Sequence, residues 1–231
     1  MSTRLLTTIR RAASPAAIAA LLLTGGTGCQ LWPWHIAKDR TTIITPGMRA
    51  ASIREMGLQA KEQDSAGQVK ACEQLAMQIR TEPDPIVRKS IQEAVAEFDT
   101  PMAGAMLLAG LNDDDRDVKV TCARLLGKRK EPKAIEPLAK LVATSDNLDV
   151  RLAAVDALGA MGTKGSIAGL SAALKDRDPA MQYAGVEAMK KVAPDQELGN
   201  DVQAWRSYAD SVVGPAPAAS IATQPGETAV K

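Results

Sequence analysis

Residues 147–162 have the sequence NLDVRLAAVDALGAMG, and three other stretches of the chain carry the same pattern. In each copy an Asp or Asn is followed three residues later by an apolar residue, namely Val87, Val118, Val150 and Met181. These apolar anchors lie 31, 32 and 31 residues apart. A fixed period of this length is typical of stacked repeats, in which each unit contacts mainly its neighbours. The period therefore predicts a binding surface rather than a buried catalytic pocket.

Each repeat is predicted to be a pair of short antiparallel helices. Asn147 suits a helix N-cap, because its side-chain oxygen can accept a hydrogen bond from a free backbone N–H. In two other copies the next position is Pro85 or Pro179, where a missing N–H is tolerated. Gly162 favours the end of this first helix. Apolar residues at helical spacing then predict a second helix within residues 167–174.

The predicted fold is all-α, an α-solenoid of about four stacked helix pairs with a capping helix at each end. The repeats occupy residues 66–194, the N-terminal capping helix residues 48–65, and the C-terminal capping helix residues 195–212. Terminal helices of this kind cover apolar faces that would otherwise meet water. Residues 213–231 are dominated by Pro, Ala, Ser and Thr, a composition that predicts a disordered tail.

The pattern Asp-Pro-x-Val-Arg, followed by small residues and then Ala-Leu-Gly-x-Met-Gly, resembles HEAT repeats. Its short period is similar to the subtype named after phycocyanobilin lyase subunits. The resemblance covers roughly residues 66–194 and implies a fold more than a function. It also implies that the basic residues Arg88, Lys119 and Arg151 pair with acidic residues of adjacent repeats. Gln182 stands at this position in the last repeat, where such a ladder is expected to stop.

Residues 1–28 have the charge and hydropathy order of a secretory signal peptide. Three arginines precede an apolar run over residues 12–23, which is too short for a comfortable membrane-spanning helix. Small residues directly before Cys29 resemble a bacterial lipoprotein processing site, although Gly26 stands where an aliphatic residue is usual. We expect Cys29 to be lipidated. Secretion after cleavage elsewhere, and an uncleaved anchor or cytoplasmic retention, are the alternatives.

Residues 29–47 are predicted to be a tether between the lipidated cysteine and the repeats. Stable anchoring needs more than one acyl chain, which diacyl or triacyl modification supplies. Gln30, rather than Asp, follows the cysteine, so the outer membrane of the envelope is favoured if enteric sorting applies. Trp32 and Trp34 either rest at the lipid interface or belong to a tether in which they do nothing specific.

The charge balance argues against a nucleic-acid partner. The chain has 28 basic and 27 acidic side chains, and residues 1–28 hold three of the basic and none of the acidic ones. Nucleic-acid binding needs a basic face that neutralises phosphates. Two local charge runs, 113–115 and 128–130, are predicted to be solvated loops, with contact patches as the alternative.

No feature of the sequence points to catalysis, a metal or another cofactor, or to a small-molecule substrate. His35 is the only histidine and lies outside the repeats. The sequence has no cluster of ligands with metal-binding spacing, no glycine-rich phosphate loop and no nucleophile elbow. Cys72 and Cys122 invite a disulfide in an exported protein. Both fall on predicted core faces of separate helices, which favours buried free thiols.

These observations favour a non-enzymatic scaffold, anchored to a membrane, that binds a protein or peptide in the bacterial envelope. Binding through the groove of the solenoid is expected to use the inner row of helices, at Lys89, Gln92, Arg124, Asp156, Tyr183 and Glu187. An accessory subunit of a chromophore lyase or other protein-modifying enzyme is the alternative from another class. A structural spacer without a dedicated ligand is the third hypothesis.

Overall fold

The computed structural model describes residues 44–214, and this part of the chain is helical without any strand. The ten α-helices of these residues are α1 (Pro46–Lys61), α2 (Ser65–Ile79), α3 (Pro85–Val95), α4 (Pro101–Gly110), α5 (Arg116–Arg129), α6 (Ile135–Thr144), α7 (Leu148–Met161), α8 (Ile167–Leu174), α9 (Pro179–Val192) and α10 (Val202–Val213), and short 3-10 turns at Pro132–Ala134 and Lys164–Ser166 precede α6 and α8. The predicted all-α repeat fold is confirmed. The signal peptide, Cys29, most of the tether and nearly all of the predicted tail lie outside the described residues. None of the described helices is long and apolar enough to cross a membrane.

The helices form two rows. The motif row consists of α1, α3, α5, α7 and α9, each of which packs against the next member of the row. The second row consists of α2, α4, α6, α8 and α10. The repeat anchors Val87, Val118, Val150 and Met181 are completely buried in the aliphatic core. The period of the sequence therefore corresponds to one step along the motif row.

Short polar side chains start every helix of the motif row. Thr45, Asp84, Asp115, Asn147 and Asp178 each accept a hydrogen bond from a backbone N–H of the first turn, at distances between 2.8 and 3.3 Å. These bonds satisfy donors that have no partner within the helix. The N-cap positions expected from the repeat pattern are therefore correct.

The motif occurs once more than the period indicates. Residues 45–49 have the sequence TPGMR and start α1 with the same cap, proline, apolar residue and arginine. Met48 lies 39 residues before Val87, so this copy is outside the 31-to-32-residue period. The spacing is longer partly because α2 has 15 residues whereas α4 has 10.

Glycines bring most motif-row helices into direct backbone contact. A Cβ at Gly57, Gly127 or Gly159 would lie only 2.7 or 2.8 Å from the nearest atom of an alanine on the next helix of the row. Real Cβ contacts are not that short, so these positions need glycine. At the α3–α5 interface the corresponding residues are Ala96 and Leu125, and these two helices touch less than α5 and α7 do.

The last helix, α10, packs against α8 and α9 and adds the largest buried side chain of the described chain, Trp205. The indole Nε1 of Trp205 donates to the carbonyl of Gly199 at 3.0 Å. The ring of Tyr208 meets the indole edge-on, with the ring centroids 5.9 Å apart. This geometry is one of the favoured aromatic arrangements, and it fixes α10 on the final repeat.

Candidate binding surface

A ladder of ion pairs links the motif-row helices. Arg88 Nε and Nη2 donate to the two carboxylate oxygens of Asp113, both at 2.8 Å, and Arg151 pairs with Asp176 at the equivalent place. This confirms the expectation for Arg88 and Arg151. The Arg88–Asp113 pair is bidentate and partly buried, which is the stronger kind of ion pair. Arg151 contacts Asp176 through Nη2 alone, while its Nε donates to the carbonyl of Val142 at 2.9 Å. Gln182 donates instead to the backbone carbonyl of Asp176 at 2.7 Å, so the ladder ends in the last repeat.

The first ion pair of the ladder is formed by Arg49, which the predicted repeats did not include. Its Nη2 donates to Glu82 Oε1 at 2.9 Å. Glu82, like Asp113 and Asp176, also accepts from the backbone N–H of the N-cap residue two positions later, at 2.8–3.0 Å. Each ladder carboxylate therefore joins the arginine of one motif-row helix to the start of the next helix.

The ladder is interrupted between α5 and α7. Lys119 stands in place of the arginine and Ser145 in place of the carboxylate. Within residues 44–214 Lys119 forms no ion pair, so the expectation that it pairs with an acidic residue is wrong. An exposed ion pair between Arg116 and Asp149, at 3.1 Å, spans these two helices instead.

The ladder also shifts the protonation of its carboxylates. Burial alone would raise the pKa of Asp113, but the hydrogen bonds from Arg88 and from the backbone of Asp115 outweigh it and lower the pKa. The pKa of Asp176 is lowered, first by the backbone N–H of Asp178 and also by Arg151. Both carboxylates are therefore held in the ionised form that the ladder requires.

Neither charge run is simply a solvated loop. The first run contributes Asp113 to the ladder. In the second run Arg129 belongs to the last turn of α5, and its Nη1 donates to the carbonyls of Ala96 and Phe98 at 3.1 and 2.8 Å. The prediction failed because these partners come from other repeats.

Five of the six predicted partner-binding residues have side chains at the surface of the motif row: Lys89 on α3, Arg124 on α5, Asp156 on α7, and Tyr183 and Glu187 on α9. Tyr183 is an exposed aromatic residue, with 64% of its surface accessible. Lys89 and Glu187 are half-buried and pair along their own helices, with Glu93 at 4.0 Å and with Lys190 at 2.7 Å.

Arg124 and Asp156 line the same groove, between α5 and α7. The groove has a volume of about 380 Å³ and an apolar part formed by Val120, Leu152 and Ala153. Both charged side chains are exposed, and within the described chain neither of them forms an ion pair or a hydrogen bond. Three more charged residues line the groove, Arg116, Asp117 and Asp149, and these pair with one another. Arg124 and Asp156 are thus the cation and the anion of the lining that are available to a partner.

Gln92 is the exception among the predicted residues. Only 2% of its surface is exposed, and the side chain extends between α2 and α4 rather than onto the motif-row surface. Gln92 therefore does not contribute to the surface of the motif row. The backbone of α4 at Gly110 covers the amide, and helical spacing within α3 alone does not reveal that cover.

Both cysteines of the described chain, Cys72 and Cys122, are buried free thiols. Burial raises the pKa of each thiol, so neither is activated as a nucleophile. Within residues 44–214 there is no group of three or more His, Cys, Asp or Glu side chains that could hold a metal ion.

The family profile of HEAT repeats matches residues 104–190, which extend from α4 into α9. A search of curated proteins gives no match. Among solved structures, an engineered protein is similar over 74% of this chain and 92% of its own, with 16% identity and a TM-score of 0.46. The complex of CpcE and CpcF of phycocyanin lyase from Nostoc sp. PCC7120 includes a chain with 18% identity, covering 65% of this chain and 94% of that one, with a TM-score of 0.45. The family match and the two helix rows together show an α-solenoid of HEAT-like repeats.

Proposed function

We propose that this protein is a non-enzymatic scaffold, lipid-anchored through Cys29 in the bacterial envelope, that binds a protein or peptide along the motif row. The observation that carries the binding proposal is the α5–α7 groove with Arg124 and Asp156. The proposal for the anchor rests on the signal-peptide pattern before Cys29, since that cysteine lies outside the described residues.

The groove suits a partner segment that carries both signs of charge. Arg124 on α5 and Asp156 on α7 can each pair with an opposite charge, while Leu152 and Val120 offer apolar contact between them. Complementary charges mainly give specificity and faster association. The lining contains neither a histidine nor a cysteine, so it has no nucleophile paired with a histidine base.

Exposed Tyr183 adds a second contact point further along the motif row. Tyrosine buries a large amphipathic surface with little loss of side-chain freedom, and it is enriched among residues that dominate interface energies. A partner that follows the row from α5 to α9 would cover both the charged groove and this ring. The proposal therefore concerns an extended surface rather than a closed pocket.

Charge reversal tests the binding proposal. The double variant Arg124→Glu/Asp156→Lys is expected to lower the amount of envelope partner captured from native cells by roughly 10-fold, which corresponds to about 1.4 kcal/mol. The matched control is Lys140→Glu, an exposed charge reversal on α6 of the second row, which should leave capture unchanged. Undiminished capture by the double variant, with an unchanged melting temperature, would reject the α5–α7 groove.

The anchor has its own test, because scaffold and anchor can fail separately. Cys29→Ser is expected to move the protein from the membrane fraction to the soluble fraction and to abolish incorporation of a labelled fatty acid. If the variant remains in the membrane fraction, the lipid anchor at Cys29 is disproved while the binding proposal still stands.

A further inference from the structure

A second groove, apolar and distinct from the α5–α7 groove, opens between α2 and α4 in the second row. It has a volume of about 430 Å³, within the range of about 300–1,000 Å³ that is usual for ligand pockets. The groove exists because α2 and α4 touch less than α6 and α8 do. Its walls are formed mainly by Ala76 and Ile79 of α2 and by Met102, Ala105 and Met106 of α4.

The α2–α4 groove also contains a buried polar group without a partner. Gln92 lines it, and the Oε1 of this side chain is buried and accepts no hydrogen bond from the described chain. Leaving a buried acceptor unpaired is unfavourable. A Cβ at Gly110 would lie 2.7 Å from Gln92 Nε2, so the glycine leaves room for the amide.

The rim of the groove carries excess positive charge. Arg88 is neutralised by Asp113, whereas Arg80 is exposed and forms no ion pair within the described residues. These are the only charged residues of the lining. Arg80 is therefore placed to receive an anionic group from a molecule whose apolar part lies between the methionines.

We propose that the α2–α4 groove binds a peptide segment in which a large apolar side chain stands next to an Asp or Glu. The apolar side chain fills the space between Ile79, Met102 and Met106, and the carboxylate pairs with Arg80. A rotation of the Gln92 side chain toward the groove lets its amide bond a backbone group of the peptide, because a side-chain amide and a peptide group each offer a donor and an acceptor. Methionine walls adapt readily to different apolar side chains.

Binding is measured with two matched sets of labelled nonapeptides. In the first set Leu, Met, Phe or Trp stands next to Glu in a background of Ala and Ser, and in the second set Lys replaces Glu. Members of the Glu set are expected to bind at least about 10-fold more tightly than their Lys counterparts. Binding should shift the ¹³C-methyl NMR signals of Met102 and Met106, whereas those of Met161 and Met189, buried among other helices, stay in place.

Two pairs of variants locate the site. Arg80→Glu should remove or reverse the preference for acidic peptides, whereas Lys70→Glu, an exposed charge reversal on the same helix outside the groove, should not. Ala105→Trp should fill the groove and abolish binding. Ala143→Trp, at an exposed alanine of α6, is the control that should bind like the wild type.

Gln92→Leu separates binding from folding. It removes an unpaired buried acceptor and is therefore expected to leave the midpoint of urea unfolding unchanged or raised, while weakening peptide binding.

Three results would overturn the proposal. The first is that no peptide of the Glu set binds better than its Lys counterpart. The second is that dodecanoate shifts the Met102 and Met106 signals while no peptide does, which would assign the groove to a lipid. The third is that the same signals shift with protein concentration as a dimer forms, which would assign the groove to a second copy of this chain. None of these results depends on the α5–α7 groove, so the two sites can fail independently.

Discussion

Two neighbouring interfaces of the motif row are held together by different interactions. Between α3 and α5 the link is polar, because Arg88 pairs with Asp113 and Arg129 donates to the carbonyls of Ala96 and Phe98, directly after the end of α3. The glycine contact is missing there, since Ala96 stands at its position. Between α3 and α5 the chain thus relies on a ladder pair and an arginine that caps a neighbouring helix.

The α5–α7 interface has the opposite composition. Gly127 allows the backbones of α5 and α7 to touch at Ala157, and these helices pack more extensively than α3 and α5 do. The ladder pair is missing, because Lys119 and Ser145 replace its members. The α1–α3 and α7–α9 interfaces have both a ladder ion pair and a glycine contact. The ladder ion pair and the glycine contact are therefore two separate interactions between neighbouring repeats, and an interface can lack either one.

Removal of a ladder carboxylate should have the largest effect on the free energy of unfolding. Asp113→Ala leaves Arg88 partly buried without its partner and the backbone N–H of Asp115 without its acceptor. We expect a loss of about 2–3 kcal/mol in the free energy of unfolding, measured by urea denaturation. At the equivalent position of the α5–α7 interface, Ser145→Ala removes one hydrogen bond of 3.3 Å and should cost less than about 1 kcal/mol. If both variants lost a similar free energy of unfolding, the ladder would not distinguish the α3–α5 interface from the α5–α7 interface.

Replacing the glycine at the close helix contact should have the next largest effect on the free energy of unfolding. In Gly127→Ala the new Cβ would lie 2.7 Å from the Cα of Ala157, so α5 and α7 must separate. We expect a net loss of about 1–2 kcal/mol, although Ala is favoured over Gly in helices by about 1 kcal/mol. The control is Gly47→Ala in α1, where the nearest atom is 4.0 Å away and the stability should stay equal or rise. A stabilised Gly127→Ala variant would show that the contact is not tight.

Restoring the missing ladder pair should have a smaller effect of opposite sign. Lys119→Arg/Ser145→Asp places an arginine and a carboxylate at the two positions that face each other in the other repeats. We expect a gain of about 0.5–1.5 kcal/mol in the double variant, with most of it absent from either single variant. A double-mutant cycle measures this coupling, and additive single effects would mean that no pair has formed.

The pH dependence should distinguish the two interfaces least. Because the pKa of Asp113 is lowered in the folded state, this carboxylate stabilises the fold above its ordinary pKa of about 3.9, and the contribution is lost as the pH falls through the folded value. Asp113→Asn should therefore lose less stability than the wild type between about pH 6 and pH 3. Urea denaturation across this range is the measurement, and parallel curves would show that the ladder does not set the acid sensitivity.

The helices and their repeat order could be predicted because their signals are local. An N-cap such as Asn147, an apolar anchor three residues later and a proline at the first helical position act within one turn. The same local pattern occurs at Thr45. The 15-residue helix α2 lies between this copy and the next one, and the distance between the two copies therefore exceeds the period of the other repeats. Arg88 and Arg151 were identified by resemblance, whereas Arg49 and the carboxylate partners of all three arginines were not.

The sequence alone established the helix pairs, their stacking order and the apolar anchors, because a helix and its buried stripe depend on residues within a few positions of each other. The tertiary structure established which charges are structural and which are free. Arg88 and Asp113 are 25 residues apart and Arg129 and Ala96 are 33 apart, so only the stacking of repeats brings them together. The tertiary structure also buries Gln92 beneath α4 and leaves Arg124 and Asp156 exposed to solvent, since the exposure of a side chain depends on how closely the neighbouring helices pack.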